Sequence, residues 1–265
     1  MADTYTMGVD IGSTASKCLI LKNGSAIAGS AIIPAGTGTS GPGKSVETAF
    51  SKAGLTRDDI AGLAATGYGR NTFTAADFTV SELSCHAAGV HAMFPDAKTV
   101  VDIGGQDLKA IRIGKGGALD NFLMNDKCAA GTGRFLEVMA RVLELDVSEL
   151  AEKSRGAAKT IKISSTCTVF AESEVISQLA LNADIGELIA GIHESVAVRA
   201  ASLIRRLGLL LPLVMTGGVA LNAGVVAALE KELGNRIIVS PIAQLNGAYG
   251  AAILAWRKIN KTSGG

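Results

Sequence analysis

An internal repeat constrains the fold of this 265-residue chain more than any other feature of its sequence. The stretch Val9–Lys17 matches Val101–Lys109, with valine, aspartate, isoleucine, glycine and lysine at the same offsets in both copies. Each copy predicts a buried strand with an acidic residue at its end, followed by a glycine turn. Strand patterns precede helical patterns in both halves, which is typical of the α/β class. The repeat therefore predicts two similar halves whose turns face each other across a nucleotide cleft.

The two glycine turns are suited to phosphate, because they expose backbone N–H groups and carry no Cβ atom that would collide with a ligand. We predict that Asp10 and Asp102 hold Mg²⁺ through its water molecules, as Mg²⁺ usually sits beside a nucleotide. Lys17 is predicted to neutralise phosphate, and either Gln106 or Asp107 is predicted to orient the attacking water.

Two further glycine-rich stretches have different interpretations. The turn Thr216–Ala220 follows a predicted strand and opens a predicted helix, a position that allows close approach to a ribose or an α-phosphate. Gly41–Ser45 imitates the end of a P-loop, but Thr39 occupies the position where the first glycine of that motif belongs. We therefore interpret Gly41–Ser45 as a loop only.

Two of the four cysteines lie in segments that favour metal binding. Cys128 precedes an amphipathic helix with Thr132 as its predicted N-cap, and Cys167 precedes a second helix with Glu172 and Glu174 in its predicted first turn. The positive end of a helix dipole favours a thiolate, the ligand that iron–sulfur clusters and zinc require. Two cysteines leave a four-thiolate site incomplete, which predicts a two-fold dimer. Spacing alone leaves open the alternative that both are ordinary buried cysteines.

The other cysteines have a structural interpretation. Cys18 and Cys85 lie inside apolar runs and are predicted to belong to the core. Cys85 shares the predicted helix Glu82–Met93 with His86 and His91, which we interpret as solvated or capped side chains rather than metal ligands.

Composition excludes several classes of function. The net charge is +1 and aromatic residues make up 4%, so we expect neither a nucleic-acid nor a membrane-surface partner. The apolar runs are too short to span a bilayer, and the N-terminal stretch lacks the pattern of a signal peptide. Four cysteines without a secretory signal predict a reducing, cytoplasmic location.

The motifs D-I-G-S-T, D-I-G-G-Q-D and T-G-G-V-A together resemble those of the actin, sugar-kinase and Hsp70 type of ATPase. The segments N-D-K-C-A-A-G-T-G-R-F and S-S-T-C-T-V-F-A-E-S-E-V resemble the activators of 2-hydroxyacyl-CoA dehydratases, kin to the ATPase subunits of benzoyl-CoA reductase. The resemblance runs from Met7 to about Trp256. It implies two ribonuclease-H-like α/β halves, which we place at residues 1–95 and 96–265, with the C-terminal helix as a candidate to complete the first.

The resemblance also implies an activity. Such proteins are cytoplasmic homodimers of anaerobic amino-acid fermentation, with one [4Fe–4S] cluster bridging the subunits, a role that falls on Cys128 and Cys167. They couple hydrolysis of Mg²⁺-bound ATP to transfer of one electron, from reduced ferredoxin or flavodoxin to a dehydratase. The expected catalytic residues are Asp10, Gln106 and Asp107. The expected nucleotide-binding residues are Gly12, Ser13, Thr14, Ala15, Ser16, Lys17, Asp102, Gly104, Gly105, Gly217, Gly218, Pro241 and Gln244.

Two other functions remain consistent with these residues. A small-molecule kinase on the same ATPase fold would use Asp107 as its base and would keep Cys128 and Cys167 in its core. A zinc-stapled regulatory ATPase would use the same two cysteines without a redox role. Iron in the purified protein separates the first alternative from the activator, and an anaerobic absorption spectrum separates the second, since zinc is colourless.

Overall fold

The computed structural model describes residues 3–164 and 167–262 of the chain. These residues form two compact units. The first consists of Met1–Lys98, Arg112–Asp120 and Gln244–Gly265, and the second of Thr99–Ile111 and Asn121–Ala243. The predicted division between residues 95 and 96 stays a prediction. Residues 165 and 166, which belong to the segment quoted around Cys167, lie outside the described residues.

The strands and helices are numbered in chain order. The strands are β1 (Tyr5–Ile11), β2 (Ser16–Lys22), β3 (Ala26–Ile33), β4 (Ile60–Thr66), β5 (Phe78–Thr79), β6 (Thr99–Ile103), β7 (Leu108–Ile113), β8 (Leu119–Asn125), β9 (Leu213–Thr216) and β10 (Ile237–Val239). The helices are α1 (Gly41–Ala53), α2 (Glu82–Met93), α3 (Gly133–Val142), α4 (Leu150–Lys153), α5 (Thr168–Ala180), α6 (Ile185–Leu207), α7 (Ala223–Leu233) and α8 (Asn246–Thr262). Among the described residues, no helix combines the length and apolarity needed to cross a membrane.

The first unit is built on a mixed sheet of five strands in the order β3-β2-β1-β4-β5. The central strand β1 pairs antiparallel with β2 and parallel with β4. Helix α8 packs directly on this strand, because a Cβ atom at Gly8 would overlap the carbonyl oxygen of Ala248. Gly250 contacts the Cys85 carbonyl of α2 in the same way. Glycines therefore bring the C-terminal helix close to the strand that ends at Asp10 and Ile11.

The second unit has a five-stranded sheet in the order β10-β9-β6-β7-β8. Its central strand β6 is buried throughout and pairs parallel with β9, which in turn pairs parallel with β10. The apolar side of α3 packs into the core through Phe135, Leu136 and Met139, as its spacing predicts. Two α/β units, each with a mixed sheet and packed helices, confirm the predicted fold class.

Two helices begin earlier than their sequences predict. Helix α1 begins at Gly41, so the stretch that we interpreted as a loop forms its first turns. Pro42 is favourable there because the first turn of a helix does not require a proline N–H. Helix α5 begins at Thr168 with Cys167 as its N-cap, and its first turn contains no acidic residue. The placement of Glu172 and Glu174 in that first turn was therefore wrong.

The predicted core cysteines are confirmed. Cys18 and Cys85 are fully buried. Burial raises the pKa of both thiols, that of Cys85 to about 12, so neither supplies a thiolate near neutral pH. His86, on the same helix as Cys85, accepts a hydrogen bond at its backbone carbonyl from the Asn246 side-chain amide at 3.2 Å.

A third histidine, His193 of α6, is enclosed in the second unit. Its Nδ1 lies 3.4 Å from the Ser154 hydroxyl, and its ring occupies the space that a Cβ atom at Gly224 would need. Desolvation lowers the pKa of His193 to about 4, because burial disfavours the charged imidazolium.

This buried imidazole predicts an acid-sensitive fold. Between pH 6.5 and about pH 4 the unfolded chain binds a proton at His193 that the folded chain does not. The contribution to stability is complete above pH 6.5 and decreases as the pH falls, by about 3 kcal/mol in total at about 1.4 kcal/mol per unit. Urea unfolding at several pH values should show a shallower pH dependence for His193→Gln than for the wild type. Identical slopes would contradict the effect.

Candidate functional site

The two copies of the sequence repeat form the same turn. Gly12 N donates to Ala15 O at 3.0 Å, and in the second copy Gly104 N donates to Asp107 O at 2.9 Å. The aligned residues of the sequence therefore make the same hydrogen bond in three dimensions. Duplication of the hairpin is a property of the fold as well as of the sequence.

The aspartate that ends each repeated strand pairs with the repeated lysine. Lys17 Nζ lies 3.2 Å from Asp10 Oδ2 in the first unit, and Lys109 Nζ lies 3.2 Å from Asp102 Oδ2 in the second. Each ion pair joins the end of one strand to the start of the next. Together with the turn hydrogen bond, it fixes the geometry of the turn.

Both turns present backbone donors. Within residues 3–164 and 167–262, the N–H groups of the central turn residues make no hydrogen bond to the protein. These residues are Ser13, Thr14 and Ala15 in the first turn, and Gly105, Gln106 and Asp107 in the second. Successive N–H groups left open in a glycine turn form a concave site for an anion. The geometry of both turns therefore fits phosphate.

The carboxylate of Asp10 has an unoccupied hydrogen-bonding position. Asp10 is 4% exposed, and its Oδ1 has no hydrogen-bond partner among the described residues. A Cβ atom at Gly67 would lie 2.6 Å from Oδ1, and one at Gly247 would lie 2.9 Å from Oδ2. The two glycines thus leave the carboxylate uncrowded. A buried charged oxygen without a partner costs free energy, so this atom fits a role in binding a hydrated cation.

The second unit holds a more extensive buried network. Lys109 is 1% exposed, and its Nζ lies 2.7 Å from Asp107 Oδ2 in addition to its contact with Asp102. Thr216 donates its hydroxyl to Asp102 Oδ1 at 2.8 Å. Gln106, the other predicted water-orienting residue, is exposed. The ion pair with Lys109 therefore restrains Asp107, whereas the Gln106 side chain makes no such contact with the part of the chain that the structure describes.

The third glycine turn lies across the end of strand β6. Gly217 has a φ of +87°, and a Cβ atom there would overlap the Ile103 carbonyl oxygen. Its N–H donates to Ala243 O at 2.9 Å. Gly218 follows as an exposed residue at the start of a short 3₁₀ helix. A side chain at Gly217 would displace this turn from the strand that carries Asp102.

The remaining predicted nucleotide-binding residues have varied surroundings. Ser16 is buried and donates its hydroxyl to Ala35 O at 2.7 Å, so its oxygen already has a structural contact. Pro241 is exposed and Gln244 is half-buried, on the segment that carries the Ala243 carbonyl. Their assignment to nucleotide binding stays a prediction.

Both candidate metal-binding cysteines are exposed. Exposure of Cys128 and Cys167 contradicts the alternative that they are ordinary buried cysteines. The Asn125 side-chain amide donates to the Cys128 carbonyl at 3.2 Å. Thr132 occupies the N-cap position of α3 as predicted, but its hydroxyl donates to Ala129 O and does not cap the helix.

The start of α3 is bound to the second phosphate turn. Gly133 N donates to Gly104 O at 2.9 Å, and Arg134 N donates to Gly105 O at 2.8 Å. These two N–H groups are therefore directed at the turn and not at the Cys128 thiol. Two backbone hydrogen bonds connect the turn directly to the helix that follows the cysteine.

Ser164, the last described residue before Cys167, is bound by a side chain of α5. The carboxylate of Glu174 accepts hydrogen bonds from the backbone N–H of Ser164 at 3.0 Å and from its hydroxyl at 2.9 Å. Glu174 is in the second turn of α5, whose N-cap is Cys167. This contact fixes the start of the segment that leads to the cysteine.

The model of the BadF/BadG/BcrA/BcrD ATPase family matches residues 7–255. The chain belongs to this family. It is 55% identical to the (R)-2-hydroxyglutaryl-CoA dehydratase activating ATPase of Acidaminococcus fermentans, over 97% of this chain and 99% of that protein. The solved activator of the 2-hydroxyisocaproyl-CoA dehydratase from Clostridium difficile, with bound ADPNP, is 54% identical with a TM-score of 0.95, over 98% and 97% of the two chains.

A more distant structure supports the fold alone. The ROK family glucokinase of Streptomyces griseus has a TM-score of 0.58 at 13% identity, over 96% of this chain and 99% of that one. The two α/β units therefore have the architecture of the sugar-kinase type of ATPase.

Sequence reasoning missed several residues that shape these sites. Gly67 and Gly247 leave space for the Asp10 carboxylate, and Thr216 holds Asp102. The repeat identified Lys109, but nothing in the sequence indicated that the Asp107 carboxylate would also bind the Lys109 ammonium group. No signal in the sequence could have identified the two glycines, because they approach Asp10 from distant segments.

Gly104→Ala is expected to slow ATP hydrolysis roughly 100-fold, the loss typical of misplacing a reacting group by about 1 Å. A Cβ atom there would overlap Asp107 Oδ1 and displace the carboxylate. Steady-state phosphate release measures the effect. Gly43→Ala is the matched control, because no atom lies within 4 Å of its Cβ position. An unchanged rate in Gly104→Ala would contradict the assignment of Asp107.

Proposed function

We propose that this protein is an ATP-dependent activator of a 2-hydroxyacyl-CoA dehydratase. In this proposal a homodimer binds one [4Fe–4S] cluster and couples ATP hydrolysis to transfer of one electron from reduced ferredoxin or flavodoxin to the dehydratase, in the cytoplasm. The observation that carries it is the exposure of Cys128 and Cys167 in a chain similar over nearly its whole length to proteins named as dehydratase activators.

The nucleotide half of the proposal uses the two phosphate turns. Their open N–H groups bind the phosphate oxygens of ATP, and Lys17 adds a positive charge beside the first turn. Asp10, whose Oδ1 has an open hydrogen-bonding position, would hold hydrated Mg²⁺. Asp107 orients the water that attacks the terminal phosphate. When bound, Mg²⁺ would neutralise part of the negative charge of the ATP phosphates.

The proposed cluster site is supported by the chemistry of its candidate ligands, the thiolates of Cys128 and Cys167. Thiolates are the preferred ligands of [4Fe–4S] clusters, and two exposed cysteines per chain suit a four-thiolate site shared by two chains. When bound, the cluster supplies one-electron chemistry. Asn125 positions the Cys128 backbone, and Glu174 holds the segment that leads to Cys167.

Coupling between the nucleotide site and the proposed cluster site follows from hydrogen bonds at the start of α3. Binding or loss of phosphate at residues 104–107 changes the position of a turn whose carbonyls accept hydrogen bonds from Gly133 and Arg134. A shift of the turn therefore moves α3 and the backbone that leads to Cys128. This path requires no residue outside the second unit.

The surface near the cysteines supports a protein partner. On α5, directly after Cys167, Val169, Phe170 and Ile176 are 65%, 68% and 52% exposed. On β8, before Cys128, Phe122 is 40% exposed and Met124 is 36% exposed. Apolar side chains so exposed mark surfaces that associate with other proteins. We assign this surface to contacts of the homodimer and the dehydratase.

The partner, and not this chain, selects the acyl-CoA in this proposal. Relatives of similar identity, 55% and 54%, are named for dehydratases of two different acyl-CoA substrates. The kinase alternative requires both cysteines to lie in the core, and their exposure contradicts that requirement. The zinc-stapled alternative uses the same thiols, so iron and sulfide analysis decides between it and the cluster.

Asp10→Ala should abolish ATP hydrolysis while leaving iron content unchanged, because Asp10 belongs to the first phosphate turn and the cysteines belong to the second unit. Phosphate release and iron analysis measure the two properties on the same anaerobic preparation. Asp3→Ala is a suitable control, since Asp3 forms an exposed ion pair with Lys22. Wild-type hydrolysis by the Asp10 variant would refute the phosphate assignment.

Cys128→Ser and Cys167→Ser should each lose iron, brown colour and dehydratase activation together. Each chain offers two exposed thiols, so one cluster is expected per dimer and none in a monomer. Iron and sulfide analysis with light scattering under anaerobic conditions measures both quantities. Air is expected to bleach the protein and weaken the dimer.

The buried cysteines provide the control for this experiment. Cys18→Ser and Cys85→Ser should keep iron, colour and activation, with some loss of stability from a hydroxyl group placed in the core. Full iron in Cys128→Ser, or a stable cluster in a monomer, would end the bridging hypothesis.

A further inference from the structure

The repeated lysines have different surroundings. Lys17 is 19% exposed in its side chain, and the residue that precedes it by two positions is Ala15. Lys109 is 1% exposed, and the corresponding residue is Asp107. The second copy of the hairpin therefore carries an additional carboxylate, that of Asp107, which forms an ion pair with its lysine. One lysine remains near solvent beside its turn, and the other is enclosed between two acids.

We infer that Lys109 is a positioning residue for nucleotide hydrolysis, which fixes the Asp107 carboxylate in the orientation required by the attacking water. This inference rests on the proposed function, in which Asp107 orients that water. It assigns to Lys109 a role that differs from the phosphate-binding role of Lys17.

The contacts of Asp107 leave it little freedom. Its Oδ2 lies 2.7 Å from Lys109 Nζ, and its Oδ1 fills the space beside Gly104 where a side chain would otherwise be. The residue is 6% exposed. One oxygen is thus held by the ammonium group, while the other lies against the turn whose N–H groups are open. An ion pair of this length at a buried site restricts rotation of the carboxylate.

Lys109 is itself held in place. Its second contact, with Asp102 Oδ2 at 3.2 Å, attaches it to a carboxylate that also accepts the Thr216 hydroxyl at 2.8 Å. The chain Thr216–Asp102–Lys109–Asp107 joins strand β9, strand β6 and the turn into one rigid network. Removal of Lys109 would leave two nearby buried carboxylates that repel each other, and Asp107 would turn away from its position.

A double-mutant cycle tests this role. The variants are Lys109→Met, Asp107→Asn and their combination, with kcat for ATP hydrolysis and Kd for ATP measured on the anaerobic dimer. Lys109→Met should lower kcat roughly 100-fold, as for a misplaced reacting group, and leave Kd within about threefold. The double variant should lose no more than Asp107→Asn alone, because Lys109 acts through Asp107. Additive losses, or a parallel loss of affinity, would overturn the inference.

Lys109→Arg keeps the charge and provides a second variant if the methionine protein does not fold. It should recover part of the lost kcat, since guanidinium retains the ion pair with altered geometry. Wild-type turnover by Lys109→Met would also overturn the inference. Lys22→Met, which removes an exposed lysine paired with Asp3, is the control and should hydrolyse ATP normally.

The same cycle separates this inference from the proposed function. If Asp107→Asn loses hydrolysis while Lys109→Met does not, only the role of Lys109 is wrong. If Asp107→Asn hydrolyses ATP at the wild-type rate, the catalytic assignment of Asp107 fails, and the positioning role fails with it. If the wild-type protein has no ATPase activity, the proposed function itself is refuted.

Discussion

An ion pair between an aspartate near the end of one strand and the lysine of the next strand organises both units. It occurs twice, as Asp10–Lys17 and Asp102–Lys109, with the same distance of 3.2 Å. In each case it closes the hairpin so that a glycine turn is held open with its N–H groups available. A buried polar group is tolerated when it is paired, so each lysine offsets part of the cost of burying its aspartate. In the proposed mechanism, phosphate binding thus depends on ion pairs that fix the two turns, and Lys17 also contributes its positive charge to the phosphate.

In the second unit this element is linked directly to the start of a helix, whereas in the first unit the Gly12 carbonyl accepts a hydrogen bond from Thr37 N at 2.9 Å. The carbonyls of Gly104 and Gly105 accept hydrogen bonds from the first residues of α3, so turn and helix form one continuous structure. Among the described residues, the N–H groups of residues 105–107 make no hydrogen bond, whereas the C=O groups of Gly104 and Gly105 are bound to the helix. The peptide group is planar and rigid, so a displacement at its N–H side also moves its C=O side. A peptide group that binds a ligand through its N–H and the helix through its C=O can therefore transmit a small displacement between them. In the proposed activator, this is how nucleotide chemistry reaches the segment of Cys128.

Sequence periodicity predicted helix α2 with the bounds that the structure shows, Glu82–Met93. The start of α1 was predicted less accurately: we interpreted Gly41–Ser45 as a loop, although the first turn of a helix accepts a proline such as Pro42. The repeat aligned Asp102 with Asp10 and Lys109 with Lys17, but it could not show that Asp107 contacts Lys109, because that contact depends on burial. Gly67 and Gly247 were likewise beyond reach, since contacts between distant segments leave no local pattern. The nucleotide and cluster assignments stay predictions of the sequence that the geometry supports.

The four cysteines are divided into two chemically distinct pairs. Cys18 and Cys85 are enclosed and protonated, whereas Cys128 and Cys167 lie at the surface on segments tethered by polar side chains. An iron donor or an oxidant that approaches the newly folded chain therefore meets only one pair. In the proposed activator, burial would act as selection during assembly of the cluster, because it would keep Cys18 and Cys85 from competing for iron and from forming disulfides with Cys128 and Cys167. In that proposal, folding of the core determines which thiols can bind the cluster before any metal binds.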